Sequence, residues 1–341
     1  MAFQDLPISL KNSLDTTKVD YAQLGASGLR VSVPILGCMS FGSKKWHPWL
    51  IEEEEALEIL KAAYDRGINT WDTEILGKAI KKFNIPRHKL ILMTKCSVFV
   101  GEDEEVAFPS PLDLCANILG LSRAAIFNAV EASLARLGTT YIDVLQIHRY
   151  DQSTPPEETM KALHDLVQSG KLRYLGASSM WATQFAGLQH VAERNGWTKF
   201  VSMQNYYNLC YREEEREMNR FCKETGVGII PWSPLFGGLL ARPFGVQDTE
   251  RSKIPSPFGS AITSADEEIV KRVEEVAGKK GWRMAQVALL WLRSKDAIPV
   301  VGLNSISKVE EAVELRGKEL SAEEVEYLEK LYIPKPIAGH F

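Results

Sequence analysis

The stretch Tyr141-Ile142-Asp143-Val144-Leu145-Gln146-Ile147-His148-Arg149 decides the fold. In an extended chain Ile142, Val144, Gln146 and His148 fall on one face, and Tyr141, Asp143, Leu145 and Ile147 on the other. A helical run over 122–138 precedes it, and Thr154-Pro155-Pro156-Glu157 opens a helix after it. A strand held between helices in this way belongs to a parallel sheet. A titratable residue at the C-terminal end of such a strand is a candidate for chemistry. The competing reading of His148 is a strand-end side chain bonded only to backbone.

The same alternation recurs outward from this stretch. Residues 21–32 read as a small hairpin turning on glycine, and residues 1–20 as a loose leader. Apolar strands then fall at 33–36, 68–71, 90–93, 172–177, 200–203, 227–231 and 298–301. Helical spacing marks 53–65, 75–83, 182–195, 213–225, 265–279, 284–294 and 307–315. Thr154 with Glu157 predicts a capping box with Pro155 at the first helical position, and Ser321 with Glu324 predicts another. Eight strand–helix units without a run of strands alone imply an α/β fold. The expected architecture is a (β/α)8 TIM barrel over 21–341, with an N-terminal β-hairpin and extra C-terminal helices. A doubly wound open sheet is the alternative; the absence of an early GxGxxG weighs against it.

Composition narrows the function classes. At 341 residues, 45% hydrophobic and 25% charged, the chain reads as globular. A formal charge of −4 and a pI near 6.0 argue against a nucleic-acid or membrane surface. No apolar run is long enough to span a bilayer, and residues 1–19 lack a signal-peptide core. The five cysteines form no CxxC pair, which fits reduced thiols in a cytoplasmic protein. The six histidines show no ligand spacing, so no metal is expected.

If the barrel is right, the strand ends share one mouth. They carry Asp72, Lys95, His148, Ser178 with Ser179, Gln204, Trp232 with Ser233, and Gly302. An Asp–Lys pair can simply satisfy two buried charges, and a tryptophan is more often core. Asp, Lys and His at three adjacent strand ends point together to chemistry.

These phrases are similar to those of the aldo-keto reductase superfamily. The matches are Gly37-Cys38-Met39, Asn69-Thr70-Trp71-Asp72-Thr73, Thr94-Lys95-Cys96, Gln146-Ile147-His148-Arg149, Gly176-Ala177-Ser178-Ser179, Gln204-Asn205, Pro231-Trp232-Ser233-Pro234-Leu235 and Gly302 through Ala312. The wording resembles most the fungal branch with versiconal hemiacetal acetate reductases and aryl-alcohol dehydrogenases. The resemblance implies NADP(H) bound across the barrel mouth and a small carbonyl or alcohol substrate, aromatic or from secondary metabolism. It implies catalytic roles for Asp72, Lys95 and His148. Gly37, Cys38, Met39, Asp72 and Gly302 would border the cofactor. Ser178, Ser179 and Gln204 would hold its carboxamide, with Trp232 stacked on the ring. Ser233, Pro234, Leu235 and Gly238 would meet its pyrophosphate. Asn304, Ser305, Lys308, Glu311 and Ala312 would surround the adenosine 2′-phosphate and adenine. The segment 46–49 and the connections 96–121 and 234–264 would line the substrate side.

One departure stands out. The family's catalytic tyrosine lies on a short loop after the strand-two aspartate. Here Asp72-Thr73 runs straight into Glu74-Ile75-Leu76-Gly77, without loop or tyrosine. Three explanations stay open. The natural product has a loop this chain lacks. Alternatively, another group donates the proton: His148, Lys95, Tyr150, Tyr206 or Tyr207. Or the chain is a catalytically silent NADPH-binding sensor or regulatory subunit.

Overall fold

A computed structural model describes residues 16–45, 47–72, 76–97, 119–246, 249–253 and 262–340. An antiparallel hairpin comes first: β1 (Asp20–Gln23) and β2 (Arg30–Val33), with Tyr21 opposite Ser32. Eight parallel strands follow: β3 (Ile35–Gly37), β4 (Thr70–Asp72), β5 (Ile91–Cys96), β6 (Ile142–Ile147), β7 (Leu172–Ser178), β8 (Phe200–Gln204), β9 (Gly228–Ile229) and β10 (Val300–Gly302). They pair in sequence order, and β10 returns to β3. Ile298 N donates to Ile229 O and Val300 N to Pro231 O, each at 2.9 Å, which joins the last two strands and closes the (β/α)8 barrel.

The inward face of the strands changes character from bottom to top. Register aligns Met93 with Val144 and Lys95 with Gln146; further on it aligns Gln146 with Gly176 and Ser178 with Gln204. Side chains two apart share a face. Apolar Met93 and Val144 at the bottom therefore lead up to Lys95, Gln146 and His148 at the top. The hairpin plugs the bottom: Leu24, Leu29, Val31 and Val33 form one buried cluster with Ile35, Met93, Val144, Ile230 and Val300. Gly25, at φ +57°, makes the seat possible, because a Cβ there would lie 2.3 Å from Gly226 O. A second cluster fills the layer between the strands and the helices, with Trp71, Leu145, Phe185 and Trp291 buried in it.

Among the helices, α1 (Glu53–Asp65), α5 (Ala182–Asn195) and α8 (Met284–Ser294) keep the expected bounds. The others in chain order are α2 (Leu76–Lys82), α3 (Arg123–Leu137), α4 (Pro156–Gln168), α6 (Met218–Thr225), α7 (Ser264–Lys280), α9 (Ile306–Val313) and α10 (Ala322–Glu329). Ser122 caps α3 by accepting from Ala125 N, and Ser321 with Glu324 forms the expected box on α10.

Three expectations need correction. Thr154 makes no capping box: α4 starts at Pro156, and the Thr154 hydroxyl donates to Asp151 Oδ2 at 2.7 Å. The helix expected over 213–225 breaks into a 3-10 turn at Glu213–Glu215 and then α6. The cause is Glu213, whose buried carboxylate accepts from Tyr332 Oη at 2.5 Å and Lys335 N at 2.8 Å. The leader is tied down by its end, since Lys18 N donates to Arg66 O and Val19 is buried in the core. No helix among the described residues is long and apolar enough to cross a membrane.

Candidate active site

Asp72, at the top of β4, is buried and takes three donors. Lys95 Nζ lies 2.5 Å and Gln204 Nε2 3.0 Å from Oδ2, and Gln146 Nε2 lies 3.1 Å from Oδ1. Gln204 Nε2 is also 3.0 Å from Gln146 Oε1. Four strands thus converge on one carboxylate. Gly176 makes room for the cluster, because a Cβ there would fall 2.9 Å from Gln146 Cγ and 2.6 Å from Ser202 Oγ.

His148 follows directly after β6, with its backbone N–H held by Cys96 O at 2.9 Å. Burial, with Lys95 and Arg149 nearby, lowers its pKa from 6.5 to about 3. The imidazole is therefore neutral at physiological pH. Of the cationic groups, Lys95 is the one bound to the aspartate.

Around this centre lies a ring of strained backbone. Ser179 (φ 25°), Ser233 (φ 51°) and Phe236 (φ 50°) are non-glycine residues at positive φ, and Gly237 and Gly238 follow at φ 67° and 98°. Such strain persists where the surroundings enforce it, and it gathers at ligand sites. Trp232 Nε1 donates to Ser179 Oγ at 2.9 Å. One face of its indole stacks on Tyr206, with centroids 4.4 Å apart and planes 12° apart. Ser178 Oγ donates to Gln204 O at 2.7 Å. Gly37, Asp72 and Gly302 are brought level by the registers of β3 with β4 and β10. Cys38 is buried beside Asp72, where burial pushes its thiol well up, and Met39 is exposed.

The residues that the resemblance implies for the adenosine end lie around the start of α9. Ser305 caps the helix by accepting from Lys308 N, and Lys308 Nζ reaches Asn304 Oδ1 at 2.5 Å. Glu311 is half-buried, and burial raises its pKa. Ala312 is different: its side chain is buried in the core rather than turned to this surface. On the substrate side, Trp49 stacks on His47 at 5.7 Å and receives the Arg251 guanidinium 4.8 Å from its ring centre, so the first and third lining segments meet. Trp46, most of the 96–121 connection and the 73–75 link lie outside the described residues.

Of the tyrosines expected as stand-in donors, two are held elsewhere. Tyr206 is buried between Trp232 and Tyr211, and burial raises its pKa strongly. Tyr207 donates to Glu215 Oε1 at 2.5 Å and packs on Trp291, with its pKa also raised by burial. Tyr150 packs against the core from a half-buried position.

Residues 35–333 match the model of the Aldo/keto reductase family. The chain belongs to that family. An aldo-keto reductase of Metarhizium robertsii is 52% identical, covering 98% of this chain and 97% of its own. An aldo-keto reductase of Alternaria alternata is 50% identical over 98% and 97%. The versiconal hemiacetal acetate reductase of Aspergillus parasiticus is 50% identical over 94% and 98%. Family membership makes the chain an oxidoreductase of the aldo-keto reductase type. The first alignment spans 358 positions against a chain of 341 residues, so at least 17 of its positions (358 less 341) have no residue here.

Two polar residues of the site escaped the sequence reading. Gln146 was detectable: it shares the inward face with His148. Arg149 lies one residue past that alternation, and only the folded mouth shows where its guanidinium goes.

Proposed function

We propose that the chain is an NADP-dependent carbonyl reductase with weakened catalysis, acting on an aromatic or secondary-metabolite aldehyde or ketone. Several local features fit a nicotinamide dinucleotide. Trp232 is fixed by its bond to Ser179 and by the Tyr206 stack, as a platform for a nicotinamide ring would be. Ser40 Oγ is buried without a partner among the described residues and would sit 4.0 Å from a Cβ added at Gly302. Lys308 stands in the first turn of α9, where the helix dipole adds to its charge and suits a phosphate. Ser178, Ser179, Gln204 and Trp232 would hold the nicotinamide end. Ser233, Pro234, Leu235 and Gly238 would take the pyrophosphate, and Asn304, Ser305, Lys308 and Glu311 the adenosine.

When bound, the reduced cofactor supplies hydride. The chain's own residues handle the oxygen. Neutral His148 offers a hydrogen bond to the carbonyl oxygen. Lys95 offers a proton at Nζ for the alkoxide that develops there, and Asp72 holds Lys95 in place. The observation that carries this reading is the 2.5 Å Lys95–Asp72 contact beside a neutral His148. Losing a general acid typically costs ~10²–10⁴ in rate. The missing tyrosine, together with the alignment positions that have no residue here, supports weakened turnover. The buried cysteines 38, 96, 210 and 222, none in a disulfide among the described residues, support a cytoplasmic setting.

The same missing tyrosine favours a second reading, a cofactor-binding subunit without turnover. Purified protein separates the two. NADPH absorbance is followed against a panel of aromatic aldehydes and ketones, and tryptophan fluorescence reports binding. Slow, substrate-dependent oxidation that Lys95→Met abolishes supports the reductase. Quenching without oxidation supports the subunit, and neither signal sinks both.

A further inference from the structure

Arg149 is a half-buried guanidinium at the top of the barrel. Its Nη1 donates to His148 O at 2.5 Å and stands 3.3 Å from Ser178 Oγ. Its Nη2 lies 3.7 Å from the position a Cβ would take on Gly339, a point 3.6 Å from Trp232 Cζ2 and 3.7 Å from Ser179 Cβ. The side chain therefore spans the mouth between His148 and the Trp232–Ser179 pair.

Among the described residues no carboxylate answers it. Arg149 has no ion pair among the described residues, and burial alone shifts it, lowering its pKa to about 10, so it stays charged at neutral pH. Asp72, the buried carboxylate at the centre of the described mouth, is taken by Lys95, Gln146 and Gln204. Arginine is rarely withdrawn from water without a counter-charge, because desolvating a guanidinium is costly. The remaining N–H groups of a planar fork match a carboxylate, which takes two parallel bonds.

We propose that Arg149 forms an anion subsite of the substrate pocket, reading a carboxylate carried on the carbonyl substrate. This rests on the mouth being the carbonyl site. It narrows the substrate class to keto or aldehyde acids, or aromatic carbonyls bearing an acid group. A point charge such as lysine would hold the anion without the two-pronged geometry.

Binding tests this separately from turnover. The full chain is titrated by calorimetry with benzoate and with benzamide, a neutral isostere, with and without saturating NADPH. Benzoate is expected to bind roughly tenfold tighter or better, as bonds to charged groups do. In Arg149→Gln the preference collapses to near parity, while benzamide and NADPH affinities stay close to wild type. Arg149→Lys keeps part of the preference and decides the matter if the glutamine variant does not fold. Equal affinities, no benzoate binding, or a preference that survives in both variants overturns the proposal. So does a loss confined to NADPH affinity, which would assign the guanidinium to the cofactor. A benzoate preference without any turnover leaves the subsite standing and removes the reductase reading.

Discussion

Lys95 Nζ stands 2.5 Å from Asp72 Oδ2, and the same carboxylate is bonded by amides from Gln146 and Gln204. The ion pair proposed to serve the chemistry is therefore also a staple across β4, β5, β6 and β8. The Asp72 side chain is 4% exposed and that of Lys95 23%. Neutralising one partner strands the other in a low-dielectric mouth. Asp72→Asn is expected to cost about 3 kcal/mol of stability, read from urea unfolding at neutral pH. The double variant Asp72→Asn/Lys95→Met should lose clearly less than the sum of the singles, because the second change removes the orphaned charge. Additive losses would show that the pair is not coupled.

His148 provides a pH signature. In the unfolded chain it takes a proton below about pH 6.5; in the folded chain it does so only near pH 3. Between those values the unfolded state binds more protons, so stability rises with pH across this window and is complete above it. Wild type should lose up to about 1.4 kcal/mol per unit of acidification there, and His148→Gln should lose correspondingly less. The His148 imidazole resonance should not titrate between pH 8 and pH 5. A midpoint near 6.5 would contradict the burial argument and reopen an imidazolium donor.

The Trp232–Tyr206 stack separates a supporting ring from a proton donor. Tyr206 is buried beneath the indole with its phenol raised in pKa, so its role is to brace Trp232. Tyr206→Phe keeps the stack and should leave turnover and NADPH affinity within about twofold. Tyr206→Ala removes a buried ring, and loss of such a ring costs about 3–5 kcal/mol. Its fluorescence response to NADPH should also weaken. If the phenylalanine variant loses turnover while still binding NADPH, Tyr206 is the acid after all.

Lys308 should set the preference between the two nicotinamide cofactors. Its ammonium stands in the first turn of α9 beside Asn304. A charged hydrogen bond to a phosphate contributes about 1.5–3 kcal/mol. Lys308→Met should thus weaken NADPH by roughly ten- to a hundredfold and leave NADH nearly unchanged. Equal weakening of both would mean that the residue supports the fold of this rim.

The barrel was legible because each strand repeats one pattern, and a period of two separates inner from outer faces without tertiary information. That pattern also placed Asp72, Lys95 and His148 on one rim. What stayed hidden depends on contacts distant in sequence. The Thr154 hydroxyl has two partners in reach, and the choice of Asp151 follows from the 120–121 backbone, which the same carboxylate also holds. The helix expected from Glu213 is cut by Tyr332 and Lys335, more than a hundred residues on. Gly339 reaches Trp232 because the last turns are strapped down by Tyr211, whose hydroxyl takes Ala338 N, and by the buried Lys335–Asp266 pair. None of these contacts leaves a local trace. Arg149 stands in the very stretch that decided the fold, yet its lack of an ion pair among the described residues is a property of its surroundings.

The sharpest test is to insert the tyrosine loop that the family resemblance implies after Thr73. Asp72, Lys95 and His148 are assembled with Lys95 bound to Asp72 and His148 neutral, a combination suited to supporting a phenol placed between them as an acid. If the acid alone is lacking, inserting a short tyrosine-bearing loop from a fungal relative between Thr73 and Glu74 should raise kcat by ~10²–10⁴. NADPH affinity should change little, because the groups proposed to hold the cofactor lie on other strands. The same insertion carrying phenylalanine should give no gain, and Lys95→Met should cancel the gain of the tyrosine. Restored turnover of this size would show that the rest of the machinery is intact. A tyrosine loop that brings no gain, in a chain that still binds NADPH, would mean that the mouth has been turned to binding, with the cofactor as its ligand and not its reagent.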